Sequence, residues 1–109
     1  STTSDKRVKK NIVDNNIGLE KIMQIQVRNF EYRKPEEITE LPQELAIQKD
    51  GVQIGVIAQE LQQVLPNCVK QESTGFLGVD SGDLTWYLIN AVKELKAEVD
   101  SLKAQLNKE

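Results

Sequence analysis

The sequence of 109 residues contains no histidine. That removes Ser-His-Asp and Cys-His catalysis and every His-ligated metal site at once. It has one cysteine, Cys68, so no internal disulfide can form. Cys68 is expected to be a small buried apolar residue. There is no apolar run of about 18 residues and no pattern of a signal peptide, so neither a membrane span nor a membrane partner is expected. The net charge is −3, and Lys and Arg are scattered apart from one cluster near the N-terminus. A nucleic-acid surface needs a basic face, and none is laid out here. Carboxylates are numerous, but no spacing resembles a calcium loop. Gly51 and Gly55 are not followed by Gly-Lys-Ser/Thr, which excludes a phosphate loop. No metal or cofactor is expected. Any chemistry must use Ser, Lys, carboxylates or the backbone.

What is present is a long amphipathic helix. Residues 83–109 contain neither Gly nor Pro, and Leu88, Val92, Leu95, Val99, Leu102 and Leu106 follow at spacings of 4, 3, 4, 3 and 4. That is the a/d stripe of a heptad. Ser81 or Asp83 can cap the start. At about 1.5 Å per residue the helix would run to roughly 40 Å, more than a domain this small can cover. The stripe is therefore expected to meet partner helices in an oligomer. With Val92, Val99 and Leu106 at a and Leu88, Leu95 and Leu102 at d, Glu98 falls at g and Lys96 and Lys103 at e. A pair between Glu98 and Lys103 of neighbouring chains would fit. Val at a with Leu at d leans toward two strands.

The rest of the chain is long enough for one domain with a modest core. Residues 1–16 are polar, with Val8, Ile12 and Val13 as the apolar exceptions. Asn15-Asn16 and Gly18 mark a turn. Helical spacing of Leu19, Ile22 and Met23 predicts a short helix over 17–25. Alternation over 26–33 predicts a strand with Phe30 and Tyr32 on one face. Residues 35–50 are acidic and carry Pro35 and Pro42, and read as a protruding loop with one helical turn around 43–46. Val52, Ile54 and Val56 predict a strand over 51–57, in which Gly55 permits close backbone approach. Residues 58–65 predict a helix with Leu61, Val64 and Leu65 facing the core, stopped by Pro66. Glu60 in its first turn complements the helix dipole. Residues 68–71 and 76–79 predict a hairpin around Ser73-Thr74-Gly75. The order is α+β: a small mixed domain of short strands ending in a long helix. The body spans 17–82 and the helix 83–109.

One pair can carry chemistry, Ser4 with Lys9. A serine hydroxyl attacks only if a base takes its proton, and without histidine a neutral lysine amine can be that base. A free Lys titrates near 10.4, so at pH 7 about one in a few thousand is neutral. Desolvation or neighbouring cations must shift that balance, and Lys6, Arg7 and Lys10 flank Lys9. A spacing of five on a helix leaves the two side chains about 140° apart. On a strand they face opposite sides. The pair can meet across a turn or between two chains.

Ser4-Asp5-Lys6-Arg7-Val8-Lys9-Lys10-Asn11-Ile12 resembles the Ser-Asp-x-Arg-x-Lys-x-Asn-Ile opening of the peptidase S74 domain. This is the C-terminal intramolecular chaperone of phage tailspikes, tail fibres and endosialidases. The resemblance continues through Phe30-x-Tyr32, through the run from Ile54 to Leu61, and through Val64-Leu65-Pro66. It ends in Val79-Asp80 and in Leu84 through Leu95, so nearly the whole chain is covered in order. The resemblance implies a homotrimer with a trimeric coiled coil, and the partner is the upstream β-helical fibre or tailspike part of the same polypeptide. The domain would bring three chains into register, promote folding upstream, and then cut itself off. That would take place in the host cytoplasm during phage assembly, and the domain would leave the mature virion fibre. Ser4 maps onto the nucleophile and Lys9 onto the general base, with Asp5 and Arg7 in positioning roles within the cleavage motif. The cut would lie at or next to Ser4, on a side the sequence does not define, or upstream of Ser1. Two other readings are a non-catalytic trimerisation module, and the autocleaving domain of a membrane-bound transcription factor.

Overall fold

The core is small and lies where the second helix, a hairpin and the start of the long helix meet. The computed structural model describes residues 2–108; Ser1 and Glu109, the outer ends of the expected N-terminal segment and C-terminal helix, lie outside them. The order is α1 (Leu19–Ile22), β1 (Arg28–Phe30), β2 (Gln53–Gly55), α2 (Ala58–Val64), β3 (Val69–Gln71), β4 (Leu77–Val79) and α3 (Gly82–Asn107). The α+β class therefore holds. Two separate two-stranded antiparallel sheets form, β1 with β2 and β3 with β4.

Strands β1 and β2 are shorter than the alternation predicted. Three residues pair, Arg28 with Gly55, Asn29 with Ile54 and Phe30 with Gln53. Among the described residues no further pair joins these two strands. Gly55 admits the Phe30 ring: a Cβ there would stand 3.3 Å from Phe30 Cε1. Phe30 and Tyr32 meet edge to face at 5.3 Å, as their shared face predicted. Ile54 points outward and is 76% exposed. The β3–β4 hairpin turns through Gly75, whose φ of 97° suits a residue without a Cβ.

Helix α2 ends where Leu65 leaves the helical region, at φ −134° and ψ 78°, ahead of Pro66, whose ring disfavours helical backbone at its predecessor. Leu61 and Leu65 are buried with Cys68, Val69 and Tyr87, and Val64 packs against them half-buried. Cys68 is fully buried, and burial pushes its thiol pKa up. Leu61→Ala should cost about 2–5 kcal/mol, because so small a core cannot collapse into the gap. Thermal or urea unfolding of the isolated domain reads this directly.

Helix α3 begins at Gly82. Ser81 occupies the N-cap position but its side chain makes no capping bond. Asp80 does so instead: its Oδ1 accepts the Gly82 N–H at 3.2 Å. That bond is the main reason its carboxyl lies below the usual range, with Lys70 adding to it. The expected caps, Ser81 and Asp83, are thus displaced by a residue one step further out, in an Asx-type turn. Leu84, Tyr87 and Ala91, spaced three and four apart, turn toward the body. Glu94, one turn on, makes the last hydrogen bond to the body among the described residues, with Leu19. Leu88, Val92, Leu95, Val99, Leu102 and Leu106 are between 43% and 70% exposed.

The 35–50 segment is more ordered than a plain loop. It holds two 3-10 turns, Pro35–Glu37 and Gln43–Leu45. Its apolar residues close over the hairpin, leaving a cavity of about 400 Å³ lined by Tyr32, Ile38, Leu45, Ile47 and Phe76 among others.

Candidate active site

The N-terminal arm, residues 2–16, is exposed throughout. Its shape comes from one 3-10 turn, Lys6–Val8. Asp5 caps this turn, with Oδ1 accepting the Arg7 N–H at 2.8 Å. The Arg7 guanidinium then folds back on the same carboxylate, with Nε to Oδ1 at 3.1 Å and Nη2 to Oδ2 at 2.8 Å. Backbone bonds from Val8 N to Asp5 O and from Lys9 N to Lys6 O, each 3.1 Å, close the turn. Ser4 lies just before it and Lys9 just after it. Lys9 Nζ donates to Ser4 Oγ at 2.6 Å. Of the two ways the pair could meet, the structure therefore has the turn within one chain. Asn11 follows at φ 55°, a left-handed conformation that Asn tolerates better than most residues, and redirects the chain beyond Lys9.

The Arg7 side chain, and then its backbone N–H, hold the Asp5 carboxyl below the usual carboxylate range. A lowered pKa means the ionised form is favoured in the fold. The stability this adds is present above the ordinary carboxylate pKa and is lost as pH falls through the lowered one. At neutral pH the Asp5 carboxylate is therefore in the ionised form that the bonds of this turn favour. Both side chains of the pair are open to water in the single chain.

The sequence does not announce the joint that ties this arm to the body. Asn90, on α3, donates from Nδ2 to Ile17 O at 2.9 Å, Asn15 O at 3.1 Å and Asn15 Oδ1 at 3.3 Å. Asn15 Oδ1 also accepts the Ile17 N–H at 2.9 Å. One turn further along α3, Glu94 Oε2 accepts the Leu19 N–H at 3.3 Å. Gly18 is buried between them. A Cβ there would overlap the Glu94 carboxylate and stand 3.0 Å from Asn90 Cβ. The one available signal was an Asn between Ile89 and Ala91 in a helix interior, where Asn is a poor helix former. A cleft of about 670 Å³ opens beside the joint, with Asp14, Asn16, Trp86 and Ile89 on its walls.

Glu60 does more than its place in the first turn of α2 predicted. It takes Arg28 in a two-pronged pair, Nε to Oε1 at 3.0 Å and Nη2 to Oε2 at 2.7 Å, tying α2 to β1. Among the described residues no group of His, Cys, Asp and Glu is arranged to hold a metal ion. No helix among the described residues is long and apolar enough to cross a membrane.

A model of the peptidase S74 family, described as the chaperone of endosialidase, matches residues 4–70. The match opens on the serine that Lys9 contacts and runs through the arm, the first sheet and α2 into β3. Helix α3 lies beyond it. With well over half of its 109 residues so matched, the chain belongs to the peptidase S74 family of endosialidase chaperones.

Proposed function

We propose that this domain is a C-terminal intramolecular chaperone that trimerises through α3, promotes folding of an upstream β-helical phage fibre or tailspike, and then releases itself by Ser-Lys autoproteolysis. The observation that carries the reading is the 2.6 Å contact between Lys9 Nζ and Ser4 Oγ, at the residue where the family match begins. It lies within the reach that proton transfer needs. The setting would be the host cytoplasm during phage assembly.

The chemistry then follows from bond lengths and ring sizes. A neutral Lys9 amine takes the proton from Ser4 Oγ. The oxygen attacks a peptide carbonyl carbon. Its own carbonyl would close a four-membered ring, whereas the Thr3 carbonyl closes a five-membered one. The bond cut is therefore Thr3–Ser4. The Oγ–C bond forms, the C–N bond breaks, and the nitrogen receives the proton that Lys9 removed. Water then hydrolyses the Thr3 ester, returning Oγ–H to Ser4. Splitting amide hydrolysis into acyl shift and ester hydrolysis replaces one hard step by two easier ones.

Loss of the domain after assembly would leave the upstream trimer kinetically trapped, since it could no longer be refolded with the chaperone's help. The direct test is a precursor carrying about 100 upstream residues, a length sufficient for a folding unit. We expect two fragments, the C-terminal one beginning at Ser4 by end-group sequencing and intact mass. A fragment beginning at Asp5 would overturn the ring-size assignment. A precursor that trimerises and stays whole would make the domain a non-catalytic assembly module.

A further inference from the structure

The arm bearing Ser4 and Lys9 is fastened to α3 at a single joint. Among the described residues, the hydrogen bonds that tie residues 2–17 to the rest of the chain all come from the Asn90 side chain. The joint adds little to the core. Asn15 and Glu94 are exposed and Asn90 is half-buried. Its geometry, in contrast, is tightly defined. One amide group with two hydrogens serves three acceptors on the arm, and the buried Gly18 leaves no room for a side chain against Asn90 and Glu94.

We propose that Asn90 is a positioning residue for self-cleavage, fastening the root of the dyad arm to α3 so that the reacting pair is held in place only when that part of the helix is formed. This inference rests on the reading of Ser4 and Lys9 as the cleaving pair. The direction of the Asn90 amide is set by the helical turn that carries it, and Glu94, one turn on, holds Leu19 N–H. Helix formation is cooperative, so the turn bearing Asn90 and Glu94 shares the fate of the turns that follow. Those following turns expose their whole apolar stripe in the single chain, and are steadied when other chains cover it. Assembly at one end of the helix is thereby passed to the arm at the other. A chaperone that cut itself loose before its chains had met would abandon its task, and this joint supplies the order.

The test uses the precursor in single-turnover cleavage, with assembly followed by sedimentation. Asn90→Ala should remain trimeric and cleave about 10- to 100-fold more slowly, the loss that a displacement of about 1 Å brings. Asn90→Asp should be as slow, because a carboxylate donates nothing to the Asn15 and Ile17 carbonyls. Asn90→Gln keeps the donors and should recover part of the rate, which a merely space-filling role would not predict. Amide exchange at Ile17 and Leu19 should quicken in Asn90→Ala while Leu61 and Val69 keep their protection. Trimeric Asn90→Ala cleaving at the wild-type rate overturns the inference. Should that variant fail to assemble, Asn90→Asp, which keeps the size of the side chain and removes the donation to the Asn15 and Ile17 carbonyls, takes its place, and an unslowed trimeric rate there overturns it equally. A wild-type precursor that stays as whole as its Ser4→Ala counterpart would sink the dyad reading itself, and the positioning role with it.

Discussion

A precursor carrying Ser4→Ala should stay full length under conditions in which the wild type is expected to divide completely. Alanine offers no oxygen to attack the Thr3 carbonyl, and no other nucleophile is held beside that bond among the described contacts of the arm. Lys9→Met keeps the length and apolar stem of the side chain and removes the amine. It should slow cleavage by about 10²- to 10⁴-fold, the usual contribution of a positioned general base. A third variant separates base catalysis from mere packing. Ser4→Cys places a thiol at the same position, and a thiol is ionised to a few per cent at neutral pH without help. Ser4→Cys combined with Lys9→Met should therefore cleave measurably faster than Lys9→Met alone. Gel analysis of the precursor over time reads all three. If Lys9→Met cleaves at the wild-type rate, the amine is not the base, whatever its distance from Ser4. If Ser4→Ala still divides, the nucleophile lies elsewhere.

The parts of the fold that were legible in the sequence are those whose signal is local. Pro66 and the Leu61–Leu65 spacing marked α2. Ser73-Thr74-Gly75 marked the hairpin, and the heptad stripe marked α3. The 3-10 turn at Pro35–Glu37 was missed although its signal was present. Pro35 stands at the first helical position, where its missing N–H costs nothing, and Glu37 reaches back to accept the Lys34 N–H at 2.9 Å. The strands came out too long for a different reason. Alternation reports an extended backbone, whereas a strand also needs a partner, and only three residues of β1 find one in β2.

The site divides in the same way. Ser4, Asp5, Arg7 and Lys9 stand within six residues, so the resemblance could carry them, and the turn that joins them is built from their own side chains. Asn90 lies 75 residues from Asn15 and 73 from Ile17. Arg28 and Glu60 are 32 apart. No periodicity links such pairs. They become visible only once the helices that carry them are packed.

Replacing Leu95 by Glu should turn the assembled domain into monomers at micromolar concentration. The single chain has far more surface than it can keep to itself. Its accessible area is 9296 Å², against about 6100 Å² for a compact monomer of this mass. Its radius of gyration is 19.5 Å, against about 13 Å for a compact chain of this length. Helix α3 contributes to that excess: its apolar stripe from Leu88 to Leu106 is open along its whole length. Leu95 stands midway, at a d position. In a three-stranded assembly each Leu95 would be buried against its two copies, each contributing about 1.5–3 kcal/mol. Substitution by Glu removes that from all three chains and sets three like charges together in an apolar seam, which costs more still. A loss of about 5–9 kcal/mol per trimer from burial alone weakens association by at least about a thousandfold. Glu98 and Lys103 make no ion pair within the chain among the described residues. Lys103→Glu at the rim should change the salt dependence of assembly and little else, since exposed pairs contribute about 0–1 kcal/mol. Sedimentation equilibrium distinguishes these outcomes. A Leu95→Glu domain that remains trimeric would show that the stripe is not the seam. A wild-type domain that sediments as a monomer at micromolar concentration would remove the coiled coil, and with it the reason for the length of α3.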